Sequence, residues 1–275
     1  MEEEMTGEQW ERFSNFREEF RRHCQEWNDS FRGMLEPLQR EACRKDTPEY
    51  SVETSVVYNQ SLDQVTAEAE IKLIVIGDNP GKDEQRLCNQ RYLVGQAGKL
   101  AAGFFSRNPD LGIDFRRDTI ILNKTPVHTA KTTHLRHLLK YGPPEIRELI
   151  DESQSWMARE TAALHQALAA VGQSEVGNQP GTGGCQLWLV GYAELKGRGL
   201  FLGYRDQLAR SYQVQDSGDM VAAWNQVRVY QHFSMNRFTI DLAESVVAGR
   251  VDGSLSVQDQ LACLGAIHRR EIFGV

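Results

Sequence analysis

Apolar residues recur at helical spacing from the start of the chain. Trp10, Phe13, Phe16, Phe20 and Trp27 fall on one face of a helix that opens at Thr6, where Gln9 three residues on completes a capping box. A second helix is predicted over Ser30 to Lys45, with Phe31, Met34, Leu35 and Leu38 on one face, ending before Pro48. The aromatics read as a packing stripe. From residue 71 the pattern changes to short apolar runs, each followed by turn residues and then a helical pattern. Four runs qualify as strands: Ile71 to Ile76, Thr119 to Asn123, Gln186 to Val190 and Val227 to Gln231. A helix from Pro143 to about Val171 carries Ile146, Leu149, Ile150, Met157, Leu164 and Leu168 inward. The glycine-rich stretch Gly177 to Gly184 precedes a strand rather than opening a helix and lacks a P-loop lysine, so it reads as a flexible loop.

The alternation predicts an α/β fold, a three-layer α/β/α arrangement around a central four-stranded, mostly parallel sheet, with an N-terminal helical extension. Residues 1–50 form that extension, packed on the core, and residues 51–275 form the α/β domain. At 275 residues, with 40% hydrophobic and 25% charged residues, collagen-like, mucin-like and wholly disordered chains are excluded. No stretch approaches the ~18 to 20 apolar residues of a membrane span, and the start Met1-Glu2-Glu3-Glu4 reverses the charge of a signal peptide. A cytoplasmic protein is expected, nucleoid-associated in a bacterial source. Cys24, Cys43, Cys88, Cys185 and Cys263 are scattered and form no C-x-x-C pair. The net charge of −7 argues against a nucleic-acid partner, but it hides an acidic excess over residues 1–70 and a basic stretch from Lys82 to Lys140.

In an open α/β sheet, ligands gather beyond the carboxyl ends of the strands, so chemistry is sought in the residues that follow each run. After the first come Gly77-Asp78-Asn79-Pro80-Gly81-Lys82-Asp83-Glu84 and then Arg91-Tyr92-Leu93-Val94-Gly95-Gln96-Ala97-Gly98-Lys99. Gly77, Pro80 and Gly81 permit a tight turn that brings backbone N–H groups and Asn79 close to a ligand, and Gly95 and Gly98 let an anion approach a helix N-terminus. Asn123 ends the second strand and offers both a donor and an acceptor, as the edge of a pyrimidine requires. The fourth strand leads into His232-Phe233-Ser234-Met235-Asn236-Arg237, where His232 can donate to an oxygen that gains negative charge. Taken singly, the first loop and Asn123 read first as structural turns, and His232 reads as readily as a structural histidine.

Together the three loops resemble the uracil-DNA glycosylase superfamily. Gly77-Asp78-Asn79-Pro80-Gly81 is similar to the Gly-x-Asn-Pro-Gly first motif of its mismatch-specific and single-strand-selective branches. Glu84 and Val94-Gly95-Gln96-Ala97-Gly98 are similar to the Pro-Gly-x-x-Glu and Val-Gly-x-Ala-Gly of family 4. Asn123 falls at the second-strand Asn, and His232-Phe233-Ser234 matches His-Pro-Ser with one replacement. The resemblance spans roughly residues 53 to 240 in consistent order. Val127 stands where family 4 carries a cluster cysteine and the early cysteine pair is reduced to Cys43, so neither an iron–sulfur cluster nor another cofactor or metal is expected.

The resemblance implies a monofunctional glycosylase that flips uracil or a related deaminated base out of DNA and hydrolyses its N-glycosidic bond, as in base excision repair. It assigns catalysis to Asn79, which orients water, and His232, which meets the departing O2. Base contacts fall to Asp78, Tyr92, Leu93 and Asn123. Leu93 replaces the stacking aromatic, which leaves stacking to Tyr92 or to another ring. DNA contacts fall to Pro80, Gly81, Lys82, Gly95, Gln96, Gly98, Lys99, Ser234, Met235, Asn236 and Arg237, with Met235 and Asn236 or Arg237 as the wedge. Asp78 and Glu84 are alternative carboxylates to assist the water, and Lys82, Lys99 and Lys124 are expected to face phosphate or solvent. The partner is DNA, single- or double-stranded, the chain a monomer, and the acidic N-terminal helices a conceivable protein contact. The alternatives are a weakly catalytic nucleic-acid-binding module that uses the same pocket and a nucleotide-handling α/β protein that meets no polymer.

Overall fold

The computed structural model of the chain describes residues 4–44, 46–169, 184–214 and 222–275. Strands β1 (Leu73–Gly77), β2 (Thr119–Asn123), β3 (Gln186–Val190) and β4 (Val227–Tyr230) pair in the order β2-β1-β3-β4, and every pairing is parallel. The expected three-layer α/β/α fold is therefore present, with a sheet that is parallel throughout. β1 and β2 are buried along their whole length, which is why both read as continuous apolar runs rather than alternating ones.

One face of the sheet is aromatic. Trp188 of β3 stacks on Phe105 of α2 (Gln96–Arg107) and on Phe238 of α6 (Arg237–Val247), at 5.4 and 5.8 Å between ring centres. On the same face α7 (Val257–Phe273) lies along β4, where the Tyr230 hydroxyl donates to the Leu261 carbonyl. The other layer holds α1 (Gly7–Cys43), α3 (Leu135–Tyr141), α4 (Pro144–Ala169) and α5 (Leu202–Ser211). Here Phe16 and Phe20 stack on Trp156 of α4.

The N-terminal segment departs from expectation. Instead of two helices it is one helix of 37 residues, opened by the Thr6–Gln9 capping box. Asn28-Asp29-Ser30 resembles a cap, but the Asn28 side chain is used elsewhere, its Oδ1 accepting from the N–H groups of Ser55 and Val56. Pro37 lies inside the helix, where its ring opposes the carbonyl of residue 33. That residue is an exposed glycine with open space around it. Phe13, Phe16 and Phe20 are fully buried in the shared core, so the apolar stripe is consumed within the chain. Residues 171 and 177–183, where a helix end and a loop are expected, lie outside the described residues. Among the described residues no helix is long and apolar enough to cross a membrane.

Candidate functional site

Because all four strands run the same way, the loops that follow them share one edge, and the order β2-β1-β3-β4 places the topological switch between β1 and β3. The backbone is tightly packed there. Gly77 pairs with Asn123 in the β1–β2 register, and a Cβ at Gly77 would fall on Asn123 Oδ1. Gly191, which follows β3 with φ +92°, abuts Asp78 in the same way, so a side chain there would meet Asp78 Oδ1.

Asp78 and Lys124 form a buried ion pair at that switch. Lys124 Nζ donates to Asp78 Oδ1 at 2.6 Å, to the Val190 carbonyl at 2.5 Å and to the Gly77 carbonyl at 3.3 Å. Three acceptors require three N–H donors, so the amine is held as the ammonium even though burial pulls its pKa down against the pull of Asp78. Thr132 donates to the other carboxylate oxygen at 3.2 Å. Lys124 was expected to face phosphate or solvent; it is instead fully buried and joins the ends of β1, β2 and β3. Asp78, expected against the base, is likewise committed to this pair.

The first loop is held on both sides. Asn79 Nδ2 donates to Thr129 Oγ1 at 2.9 Å and lies within 3.3 Å of the Val127 carbonyl, which leaves Oδ1 as the free end of the amide. Pro80 accepts at its carbonyl from His128 Nδ1 at 2.9 Å, and His128 Nε2 accepts in turn from the Tyr50 hydroxyl at 2.8 Å. A carbonyl can only accept, so His128 carries its proton on Nδ1. Glu84 closes the loop internally: one carboxylate oxygen accepts from Gly81 N–H and the other from Leu93 N–H. Burial raises its pKa to about 7 against those two hydrogen bonds.

Tyr92 and Leu93 sit beneath the loop. Tyr92 is fully buried and its hydroxyl donates to the Val57 carbonyl at 2.5 Å, so its ring belongs to the core and offers no stacking face. Leu93 is buried at φ +52°, with Arg116 donating to the Tyr92 and Leu93 carbonyls. A Cβ at Gly98 would strike the Leu93 carbonyl, so helix α2 can begin here only with glycine at this position. Gly98→Ala is expected to lower stability by roughly 1–3 kcal/mol, the range for overpacking. A urea midpoint equal to wild type would refute that close approach. Gly95 caps α2 without a side-chain hydrogen bond, and Lys82, Gln96 and Lys99 are exposed around it.

The loop after β4 is anchored by the residue that departs from the motif. Phe233 is buried, packed on Phe238 at 4.7 Å and Phe115 at 6.3 Å. Beyond it Met235 and Asn236 both adopt left-handed backbone, at φ +53° and +55°. Asparagine tolerates that region; methionine rarely enters it. Met235 is 80% exposed, an apolar side chain held out at the tip of a strained turn that packs beside α2. Arg237 begins α6 and pairs loosely with Glu244 at 3.9 Å.

His232 is partly exposed, and its Nδ1 accepts from Ser234 N–H at 3.0 Å with Ser234 Oγ at 2.8 Å. The neutral ring therefore carries its hydrogen on Nε2, the nitrogen turned away from the loop backbone. Burial lowers its pKa, with Asp78 raising and Lys124 lowering it, so the β4 loop shares an electrostatic environment with the ion pair. Asn123 is 2% exposed and its Nδ2 has no hydrogen-bond partner. No protein-family model matches the chain, and no curated protein matches it in sequence. Among the described residues, no group of three or more His, Cys, Asp or Glu is placed to hold a metal ion.

Sequence reading misplaced Lys124 and missed Thr132, Gly191 and the Tyr50–His128 link. Gly191 had a signal, a glycine directly after a strand run. The other three act through partners far away in sequence and had none.

Proposed function

We propose that the chain is a monofunctional DNA glycosylase that releases uracil or a related deaminated base by hydrolysis, acting in the cytoplasm where DNA lies. The observation that carries this reading is the orphan amide of Asn123. A buried donor left unpaired costs roughly 1–3 kcal/mol, and a pyrimidine carbonyl would satisfy it. Uracil offers O4 to Nδ2 and N3–H to Oδ1, whereas cytosine would oppose one donor with another.

The other groups fit complementary roles. His232, neutral with Nε2–H, can donate to O2 as charge builds on the departing base, and one such donor is worth roughly 10² to 10³ in rate. The Asn79 amide is fixed through Nδ2, so Oδ1 can accept from and orient a water molecule. Neither nearby carboxylate is free to take that water's proton: Asp78 is held by Lys124 and Thr132, and Glu84 accepts two backbone N–H groups. Hydrolysis is therefore expected to be slow. Met235 supplies the wedge, and the exposed Lys82 and Lys99 lie on the first-loop side to meet phosphates.

The test is release of uracil from single- and double-stranded oligonucleotides, read as abasic sites. His232→Ala should reduce the rate by about 10² to 10³. Asn123→Ala should abolish base selectivity while leaving the melting temperature near wild type, because no protein partner is lost. The commitment of both carboxylates favours a second reading, a recognition module that binds a flipped base without cleaving it. Tight, uracil-dependent binding with no release by the wild-type protein would establish that module; neither binding nor release would exclude both readings.

A further inference from the structure

A cavity lies at the amino-terminal end of β2 and reaches Arg91, where the second part of the first loop begins. It has a volume of about 350 Å³ and is bounded by the first half of edge strand β2 and by the segment from Ser61 to Ala69. Thr119, at the start of β2, is separated from Asn123 by four residues, or about 13 Å of strand. The cavity therefore sits at the opposite end of the same strand from the proposed base site.

Three arginines line it, Arg91, Arg116 and Arg117, against one acidic residue, Glu68. Glu68 is exposed, and the Thr66 side chain and its own backbone hold its carboxyl below the usual range. Arg116 spends its donors on the Tyr92 and Leu93 carbonyls, and Arg117 pairs with Asp118 at 2.7 Å. Arg91 differs: its Nε is buried and has no hydrogen-bond partner. It lies close enough to Arg116 to disfavour that cation, after the larger effect of burial. Thr119 adds an independent sign, being only 7% exposed with an Oγ1 that also lacks a partner. Buried donors without acceptors are costly, and both residues line the same cavity, beside the engaged cations of Arg116 and Arg117. An anion with several acceptor oxygens answers all of these requirements, and a guanidinium fork matches a phosphate in both charge and shape. Leu62, Val65 and Ile120 form an apolar wall, and the volume falls within the range of small-molecule sites, giving room for more than a bare ion.

We infer that this cavity binds the phosphate group of a nucleotide, with Arg91 and Thr119 as its principal contacts. The phosphate comes either from a free nucleotide or from the backbone of a nucleic acid. The inference does not rest on base excision and is tested without it.

Three probes are titrated against the full chain by calorimetry: inorganic phosphate, thymidine 5′-monophosphate and a thymidine oligonucleotide free of uracil. The variants are Arg91→Ala, Arg91→Lys and Thr119→Val, with Arg210→Ala on α5 as a charge control. A free-nucleotide site predicts that the monophosphate binds, that Arg91→Ala weakens it at least tenfold, and that Thr119→Val weakens it several-fold. Arg91→Lys should recover part of the loss. A backbone site predicts that only the oligonucleotide responds, with a salt slope that falls by about one in Arg91→Ala. Arg210→Ala should match wild type throughout. Since neither probed atom bonds to protein, the variants should melt near the wild-type temperature, and Thr119→Val is an isosteric second arm if Arg91→Ala fails to fold. Absence of binding by every probe, or affinities unchanged by the Arg91 and Thr119 variants, overturns the inference.

Discussion

Lys124→Met is expected to destabilise the protein by about 3–5 kcal/mol, the usual cost of stranding one member of a buried ion pair. For a chain of this size that is a fall in Tm on the order of 10 °C. The loss is large because the ammonium satisfies three acceptors at once, on the ends of β1 and β3 and on Asp78. Its removal leaves the Asp78 carboxylate buried, with only the Thr132 hydroxyl beside it. Lys124→Met combined with Asp78→Asn should recover much of the loss, because a pair of neutral groups carries no uncompensated charge. Thermal melts of the single and double variants check this; a double variant no more stable than the single one would show that the carboxylate is not the source of the penalty.

Acid should unfold the chain steeply between about pH 6.5 and 4. His128 and His165 are both fully buried, and burial lowers each pKa from the ordinary 6.5 to about 4. Each ring donates one N–H to a backbone carbonyl, of Pro80 or Cys185, and faces a tyrosine hydroxyl, of Tyr50 or Tyr212, with its other nitrogen. A protonated ring would present a second N–H to that hydroxyl. Between pH 4 and 6.5 the unfolded chain binds protons at both histidines that the folded chain refuses, so stability rises with pH through this window. Each contributes at most roughly 3 kcal/mol, fully present above pH 6.5 and lost by pH 4. Glu84 acts in the opposite sense: its folded pKa of about 7 lies above the unfolded value, so the folded chain holds that proton more firmly and stability falls as pH rises from about 4.5 to 7. Two protons against one leave a net gain with pH. Urea unfolding at pH 5, 6 and 7 should show stability increasing at each step, and His165→Phe should flatten the curve. A flat or falling wild-type curve would contradict the burial of both rings.

The sheet was legible because its strands are short, apolar and β-branched, and a run buried on both faces has no polar interruption to obscure it. The glycines of the first loop were legible for a similar reason, since a turn this close to neighbouring strands leaves few alternatives. Charge was not. The basic stretch from Lys82 to Lys140 suggested a positive surface, yet Lys124 is buried, Lys131 pairs with Asp46, Arg136 pairs with Glu194, and Arg116 faces two carbonyls. Each partner lies at least 20 residues away along the chain and becomes a neighbour only through the fold. Tyr92 failed as a candidate on the same ground, because the acceptor of its hydroxyl, Val57, lies 35 residues earlier.

The unbroken first helix sets a practical boundary on shortening the protein. Its carboxyl-terminal third supports the first loop from behind through Gln39, whose Nε2 donates to the carbonyls of Ser55 and His128, the residue that holds Pro80, while its middle covers Trp156. A fragment beginning near residue 50 would bare an aromatic floor and also release the backbone behind Pro80. What looks along the chain like a detachable leader is, in three dimensions, part of the layer that holds Trp156 and His128 in place.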